Sequence, residues 1–192
     1  MQLRFINLSA LPAVVNEKAK GSSLINKYTN ISLGPNQKAD AALGPSNVIP
    51  MKLTKNIAEL VGFWKMRQTR AGVGIIGNFD LQEKFVKLVL SAKLVPPDKI
   101  VTSPHAIWFS NIKIRNFFQK TVRDQGEIFS RRNPISAAYL RGIYESAGEG
   151  QTISEASFQD QLLIERLGFT TKKGGKTIYI RDIENFKNFI KK

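Results

Sequence analysis

Apolar positions along this chain recur at two spacings, and the two spacings alternate in the same order twice. Ile57, Leu60, Val61 and Trp64 stand at i, i+3, i+4 and i+7, which predicts a helix over 54–66. A short apolar run with three glycines predicts a strand over 72–77. Asp80-x-x-Glu83 has the form of a capping box. It opens a helix through Leu81, Phe85, Leu88 and Val89 to about Leu94, and Pro96-Pro97 stops it. Strands over 99–103 and 105–109 follow around a turn, and Asn111 stands where a further helix needs its cap. Later in the chain Ser157-x-x-Asp160 and Asp182 occupy the matching punctuation points.

The residues repeat as well as the pattern. Leu60-Val61-Gly62-Phe63-Trp64 is echoed by Leu140-Arg141-Gly142-Ile143-Tyr144. The stretch from Ile76 to Phe85 is echoed from Ile153 to Leu162, and Ile107 to Ile112 is echoed by Ile178 to Ile183. The offsets fall from 80 to 77 to 71, as an internal duplication with small deletions in the second copy requires. Each copy reads helix, strand, helix, strand, strand, helix. The expected organisation is an arm over 1–53, one repeat over 54–128 and a second over 129–192. Gly126 and Arg131-Arg132-Asn133-Pro134 join the copies.

The arm reads differently. Gly21-Ser22-Ser23, Gly34-Pro35-Asn36, Gly44-Pro45-Ser46-Asn47 and Pro50 break it repeatedly. Up to residue 55, Arg4, Lys18, Lys20, Lys27, Lys38, Lys52 and Lys55 face only Glu17 and Asp40. Alone, such a segment does not bury enough apolar surface to offset its ordering entropy, so it is expected to be disordered until a polyanion orders it.

Charge narrows the partners. The 192 residues hold 29 Lys and Arg against 15 Asp and Glu, a net +14. A surface that positive attracts phosphate backbones, and nucleic acid is the expected partner. A membrane is not expected, because no apolar run approaches the ~18 residues of a span. Absence of cysteine excludes disulfides, thiolate chemistry and Cys-ligated zinc. His105, the one histidine, follows Pro104 at a turn without a Ser, Cys or Asp constellation, and reads as a loop residue. The glycines of 72–77 lack the GK[ST] of a phosphate loop and read as a strand with close backbone approach. Trp64, Trp108, Phe109, Phe117, Phe118 and Tyr179 could stack on bases, but most fall at core phase and are expected to pack. Lys, Ile, Asn and Phe share AT-rich codons, and their abundance (19, 20, 13 and 12) points to an organelle, a mitochondrion for example. One Arg in the first ~20 residues is thin for a transit peptide.

The segments Leu60-Val61-Gly62-Phe63-Trp64-Lys65-Met66-Arg67-Gln68 and Leu140-Arg141-Gly142-Ile143-Tyr144-Glu145-Ser146-Ala147-Gly148 resemble two degenerate LAGLIDADG motifs. The order of elements around them is similar to one half of a LAGLIDADG homing endonuclease or maturase, twice over, across about residues 54–192. The resemblance implies an α+β fold of tandem pseudo-two-fold LAGLIDADG-like repeats behind an extended N-terminal arm. It implies that the two motif helices pack together at Gly62 and Gly142. In the family an acid at the motif's eighth position holds divalent metal for DNA cleavage. Carried over, that acid falls on Arg67 and Ala147, neither of which binds Mg²⁺. Glu145 and Glu149 flank the second position, while Lys65, Arg67 and Arg70 surround the first with no acid nearby. The family's DNA-reading β-hairpins are also expected to be clipped, since 69–79 and 149–156 leave room for about one strand and a turn.

No catalytic residue, metal or cofactor is therefore expected. Nucleic-acid contacts are expected from Lys65, Arg67, Arg70, Lys113, Arg115, Arg123, Arg131, Arg132, Lys172, Lys173 and Lys176, with Gly174-Gly175 letting the last hairpin lie close to a backbone. The function expected is that of a catalytically inactive RNA-binding monomeric pseudo-dimer within a ribonucleoprotein such as the mitochondrial ribosome, RNA being favoured over DNA. The alternative is a site-specific DNA homing endonuclease or intron maturase.

Overall fold

A computed structural model describes residues 3–6 and 49–191. Most of the N-terminal arm, and the expectation that it is disordered alone, lie outside the described residues. Its two described pieces, β1 (Leu3–Ile6) and β2 (Ile49–Lys52), pair antiparallel with Leu3 opposite Lys52. After them come α1 (Lys55–Met66), β3 (Val73–Ile76), α2 (Phe79–Ser91), β4 (Val101–Thr102), β5 (Ala106–Phe109), α3 (Ile112–Arg123) and a one-turn α4 (Gln125–Ile128). Then follow α5 (Pro134–Ala147), β6 (Gly148–Glu149), β7 (Thr152–Ile153), α6 (Phe158–Arg166), β8 (Thr171–Gly174), β9 (Thr177–Ile180) and α7 (Ile183–Ile190). The class is α+β, with small antiparallel sheets.

The centre of the molecule is the contact between α1 and α5. Both helices are buried almost all round, from Ile57 to Trp64 and from Ser136 to Ser146, as expected of helices inside a core rather than on it. Their backbones touch at the two glycines. A Cβ added to Gly62 would lie 2.1 Å from the Tyr139 carbonyl oxygen, and one added to Gly142 would lie 2.0 Å from that of Glu59. No side chain fits there, so glycine at these two positions sets the interhelical distance.

Each half then covers its own central helix. Trp64 meets Phe118 of α3 edge-on at 5.3 Å, and Tyr144 meets Phe186 of α7 in the same way at 5.8 Å. The strand pairing is also repeated. β3 and β4 flank β5, while β7 and β8 flank β9. Ile75 faces Ile107 across the first sheet and Ile153 faces Ile178 across the second, and all four are buried.

Three sequence expectations need correction. The second copy holds one strand more than expected, because β6 and β7 form a two-residue hairpin turning at Gly150, which adopts φ +57°. In the first copy a single bridge, Gln68 to Ile75, stands in its place. The match of Ile76 with Ile153 is out by one residue. Ile76 is 54% exposed, and Ile75 is the buried equivalent. Finally, Asp80 does not cap α2. Asn78 does, its side chain accepting from the Leu81 N–H at 3.1 Å, and Asp80 lies inside the first turn, where it complements the helix dipole. The Ser157–Asp160 box, in contrast, is complete in both directions.

Candidate nucleic-acid interface

α1 and α5 end side by side, and what stands there is cationic. Arg67 caps α1 and reaches across so that its Nε donates to the Ser146 carbonyl at 2.5 Å, one residue before Ala147. Positions 67 and 147 therefore lie close together, and the guanidinium satisfies a carbonyl at the negative end of the α5 dipole. Arg115 of α3 extends the cluster by donating to the Arg70 carbonyl at 3.5 Å.

Acids are present along the helix pair, but they meet around Arg141 rather than at positions 67 and 147. Glu59, an acid in the first copy that the sequence reading overlooked, forms an ion pair with Arg141. Glu145 is half-buried. Burial pushes its carboxyl above the ordinary range, with Lys84 and Arg141 opposing the shift and Glu59 adding to it. Among the described residues no group of three or more His, Cys, Asp or Glu side chains could hold a metal ion.

The sheets begin where α1 and α5 end. Tyr179 stands at the centre of the second sheet's outer face, 49% exposed, with Lys172 directly across from it on β8 and Thr152 on β7. Trp108 takes the corresponding place in the first sheet and is half-buried between Gly74 and Val101. Gly74 is required there, since an added Cβ would come within 2.3 Å of Trp108 Cβ. So the packing expected of the aromatic residues holds for Trp64, Phe109, Phe117 and Phe118, which are buried, and fails for Tyr179.

Of the expected phosphate contacts, Lys65 must be withdrawn. It turns inward, pairs with Asp160 of α6 and donates to Gln125 Oε1 at 3.0 Å. Gln125 Oε1 also accepts from the Tyr139 hydroxyl at 2.5 Å. Burial lowers the Lys65 pKa, and Asp160 opposes that shift. Burial likewise raises the Tyr139 phenol, helped by the Asp160 charge. This polar group spans both copies, tying α1 and α5 to α4 and α6.

Lys173 is half-buried and its ammonium donates to the Ala156 carbonyl at 2.6 Å, so it holds the β8–β9 hairpin to the α6 N-terminus. Arg123 and Lys176 are exposed with carboxylates at hand, Asp124 at 3.3 Å and Glu155 at 3.0 Å. Such surface pairs are weak and open to a competing phosphate. Arg67, Arg70, Arg131, Arg132 and Lys172 are exposed. Lys113 falls on α3, but its side chain lies outside the described residues. His105 is exposed beside the β4–β5 turn, and its carbonyl accepts from the Gly77 N–H at 2.9 Å. A cavity of about 610 Å³ between α2 and that turn is lined half by apolar side chains and half by Gln82, Glu83, Thr102 and Ser103, with no cation in its wall.

The cations thus fall at two ends of one helix. Arg67 reaches the place where α5 finishes, with Arg70 three residues on and Arg115 bonded to its carbonyl, and Arg131 and Arg132 stand where α5 starts. At 1.5 Å per residue, the 14 residues of α5 separate them by about 21 Å. Among the described residues no helix is long and apolar enough to cross a membrane. Comparison of the chain with protein-family models, curated proteins and solved structures finds no match in any of the three.

Proposed function

We propose that this chain is a catalytically inactive, LAGLIDADG-like RNA-binding protein, a structural component of a ribonucleoprotein such as the mitochondrial ribosome. The observation that carries the reading is the fate of the eighth motif positions. Where two carboxylates would hold divalent metal, the Arg67 guanidinium bridges to the end of α5 beside Ala147. A cation there repels Mg²⁺ and attracts phosphate.

Three further observations support the reading. The order of helices and strands in the first half recurs in the second with β6 added and no counterpart of α4, around helices whose backbones touch at Gly62 and Gly142. The strands of these sheets are two to four residues long, too short to line a duplex groove, yet those of the second sheet carry an exposed Tyr179 with Lys172 beside it. The net charge of +14 supplies the long-range attraction.

The test combines binding with cleavage. Purified protein is expected to shift structured RNA in gels, with affinity falling steeply as salt rises, and to leave plasmid DNA uncut in Mg²⁺. Salt-sensitive RNA binding that is absent would end the RNA-binding assignment. Mg²⁺-dependent cutting that disappears in Glu145→Gln would instead favour the homing endonuclease, and tight selective binding of one intron RNA would favour the maturase.

A further inference from the structure

The cleft at the start of α5 has a chemistry of its own. It holds about 300 Å³, at the lower end of small-ligand sites, between the α5 N-terminus and α7. Arg132 stands at its edge with its guanidinium 4.8 Å from the Phe169 ring centre and 5.0 Å from that of Phe189. Two aromatic rings therefore fix the position of the charge. No acid lines the cleft, and Arg132 makes no ion pair among the described residues. Its planar fork of N–H donors is held in place and left unspent.

The facing side is made of carboxamides. Asn185 and Asn188 lie one turn apart on α7, both exposed and both lining the cleft. Neither side chain makes a hydrogen bond among the described residues, so two uncommitted carboxamides line the same cleft as the guanidinium. Asn133 completes the wall, but its Oδ1 is already taken by the Ile135 and Ser136 N–H groups at 2.9 Å. The helix terminus is thereby satisfied, and the affinity of the cleft rests on side chains alone.

We infer that this cleft takes a single unpaired nucleotide, its phosphate on Arg132 and its base edge on the carboxamides of Asn185 and Asn188. A guanidinium fork matches a phosphate bidentately. A carboxamide matches the adjacent donor and acceptor of a base edge, which an unpaired base alone presents freely. Arg131, next along the chain and exposed, supplies charge for the neighbouring phosphate. The inference rests on the RNA-binding reading in one respect only, that the nucleotide belongs to a strand. A free mononucleotide carries the same chemistry.

Fluorescence anisotropy on the full chain tests it with a labelled single-stranded oligoribonucleotide and with the same sequence in a duplex. Arg132→Lys keeps the charge and loses the fork. It is expected to weaken single-strand binding about tenfold or more, as the loss of a charge-assisted bond does, and to leave duplex binding unchanged. The double variant Asn185→Ala/Asn188→Ala, at exposed positions, is expected to do the same. Wild-type affinity for the single strand in both variants would overturn the site while leaving RNA binding elsewhere intact.

If the wild type binds no RNA at all, the RNA-binding reading fails and AMP decides the cleft by itself. Side-chain amide signals of Asn185 and Asn188 that move on AMP titration, and stay still in Arg132→Lys, keep the site for free nucleotides. Signals that do not move remove it. Displacement of the oligonucleotide by polyglutamate, with equal sensitivity to Arg132→Lys, would show a carboxylate site and overturn the nucleotide assignment.

Discussion

Single atoms decide how the two halves meet. The Cβ of an alanine at position 142 would stand 2.0 Å from a carbonyl oxygen and 2.7 Å from the Phe63 nitrogen, both in the backbone of α1. Neither can rotate away, so the helices must separate. Gly142→Ala is expected to cost about 1–3 kcal/mol net of its better helix propensity, and to lower Tm by several degrees in a thermal melt. Gly126→Ala provides the contrast. Its nearest neighbour would be 3.9 Å away, within a helical turn, so the same exchange there is expected to stabilise by about 0.4–1 kcal/mol. The buried pair behaves differently. Asp160→Asn leaves Lys65 without its countercharge and is expected to cost about 3–5 kcal/mol in urea unfolding, much of it restored by adding Lys65→Met. Lys65 also sets a pH dependence. Its folded pKa is lowered, so between that value and the ordinary 10.5 the unfolded chain binds more protons. Stability contributed by this residue therefore rises with pH across the alkaline side, and the rise should vanish in the Lys65→Met/Asp160→Asn pair. The glycine contact was legible beforehand, but the buried pair was not. Lys65 sits in a run of basic residues, and only the all-round burial of α1 shows that its side chain has nowhere to go but inward.

At the level of elements, sequence punctuation was informative wherever it was unambiguous. Ser157-x-x-Asp160 opened α6, and Asn111 and Asp182 each bond to an N–H three residues on, whereas Asn133 and Pro134, read only as a link between the copies, open α5. It misled where two signals overlapped. Asp80-x-x-Glu83 mimics a capping box two residues inside a helix that Asn78 already caps, and the repeat match slipped by one residue in the same place. The hairpin of β6 and β7 was missed because two-residue strands leave no periodicity to read. Tyr179 illustrates the limit from the other side. Strand alternation from Ile178 and Ile180 places it outward, against the packing expected of most of the aromatic residues. Its exposure separates stability from binding. Tyr179→Ala removes little packed surface and is expected to leave the melting curve near wild type. On the proposed function it weakens single-stranded RNA by about 1–3 kcal/mol, the value of one stacked base, measured by anisotropy at fixed salt. An unchanged affinity would remove the second sheet from the binding surface.

Across the whole molecule, the separation of the cations matters more than their number. Arg70 and Arg115 are joined just past the end of α1, which stands beside the end of α5, and Arg131 and Arg132 stand at the start of α5, about 21 Å of helix away. Like-charged clusters that far apart exceed the Debye length of ~8 Å at physiological salt, so they repel one another little. On the proposed function, a strand long enough to reach both is held at two points, and the second contact becomes intramolecular. Affinity is therefore expected to climb with RNA length until the strand spans α5, then to level off. The salt slope should follow the same course. For single strands log K falls by about 0.7 per phosphate engaged, so four phosphates on these four arginines predict a slope near −2.8 for spanning strands and about half that for short ones. Replacing Arg131 and Arg132 by glutamine should reduce the long-strand slope by about 1.4 and leave that of a short strand bound at the other end unchanged. A slope independent of length would mean that RNA engages one end alone, and that the other cluster is a solvated face.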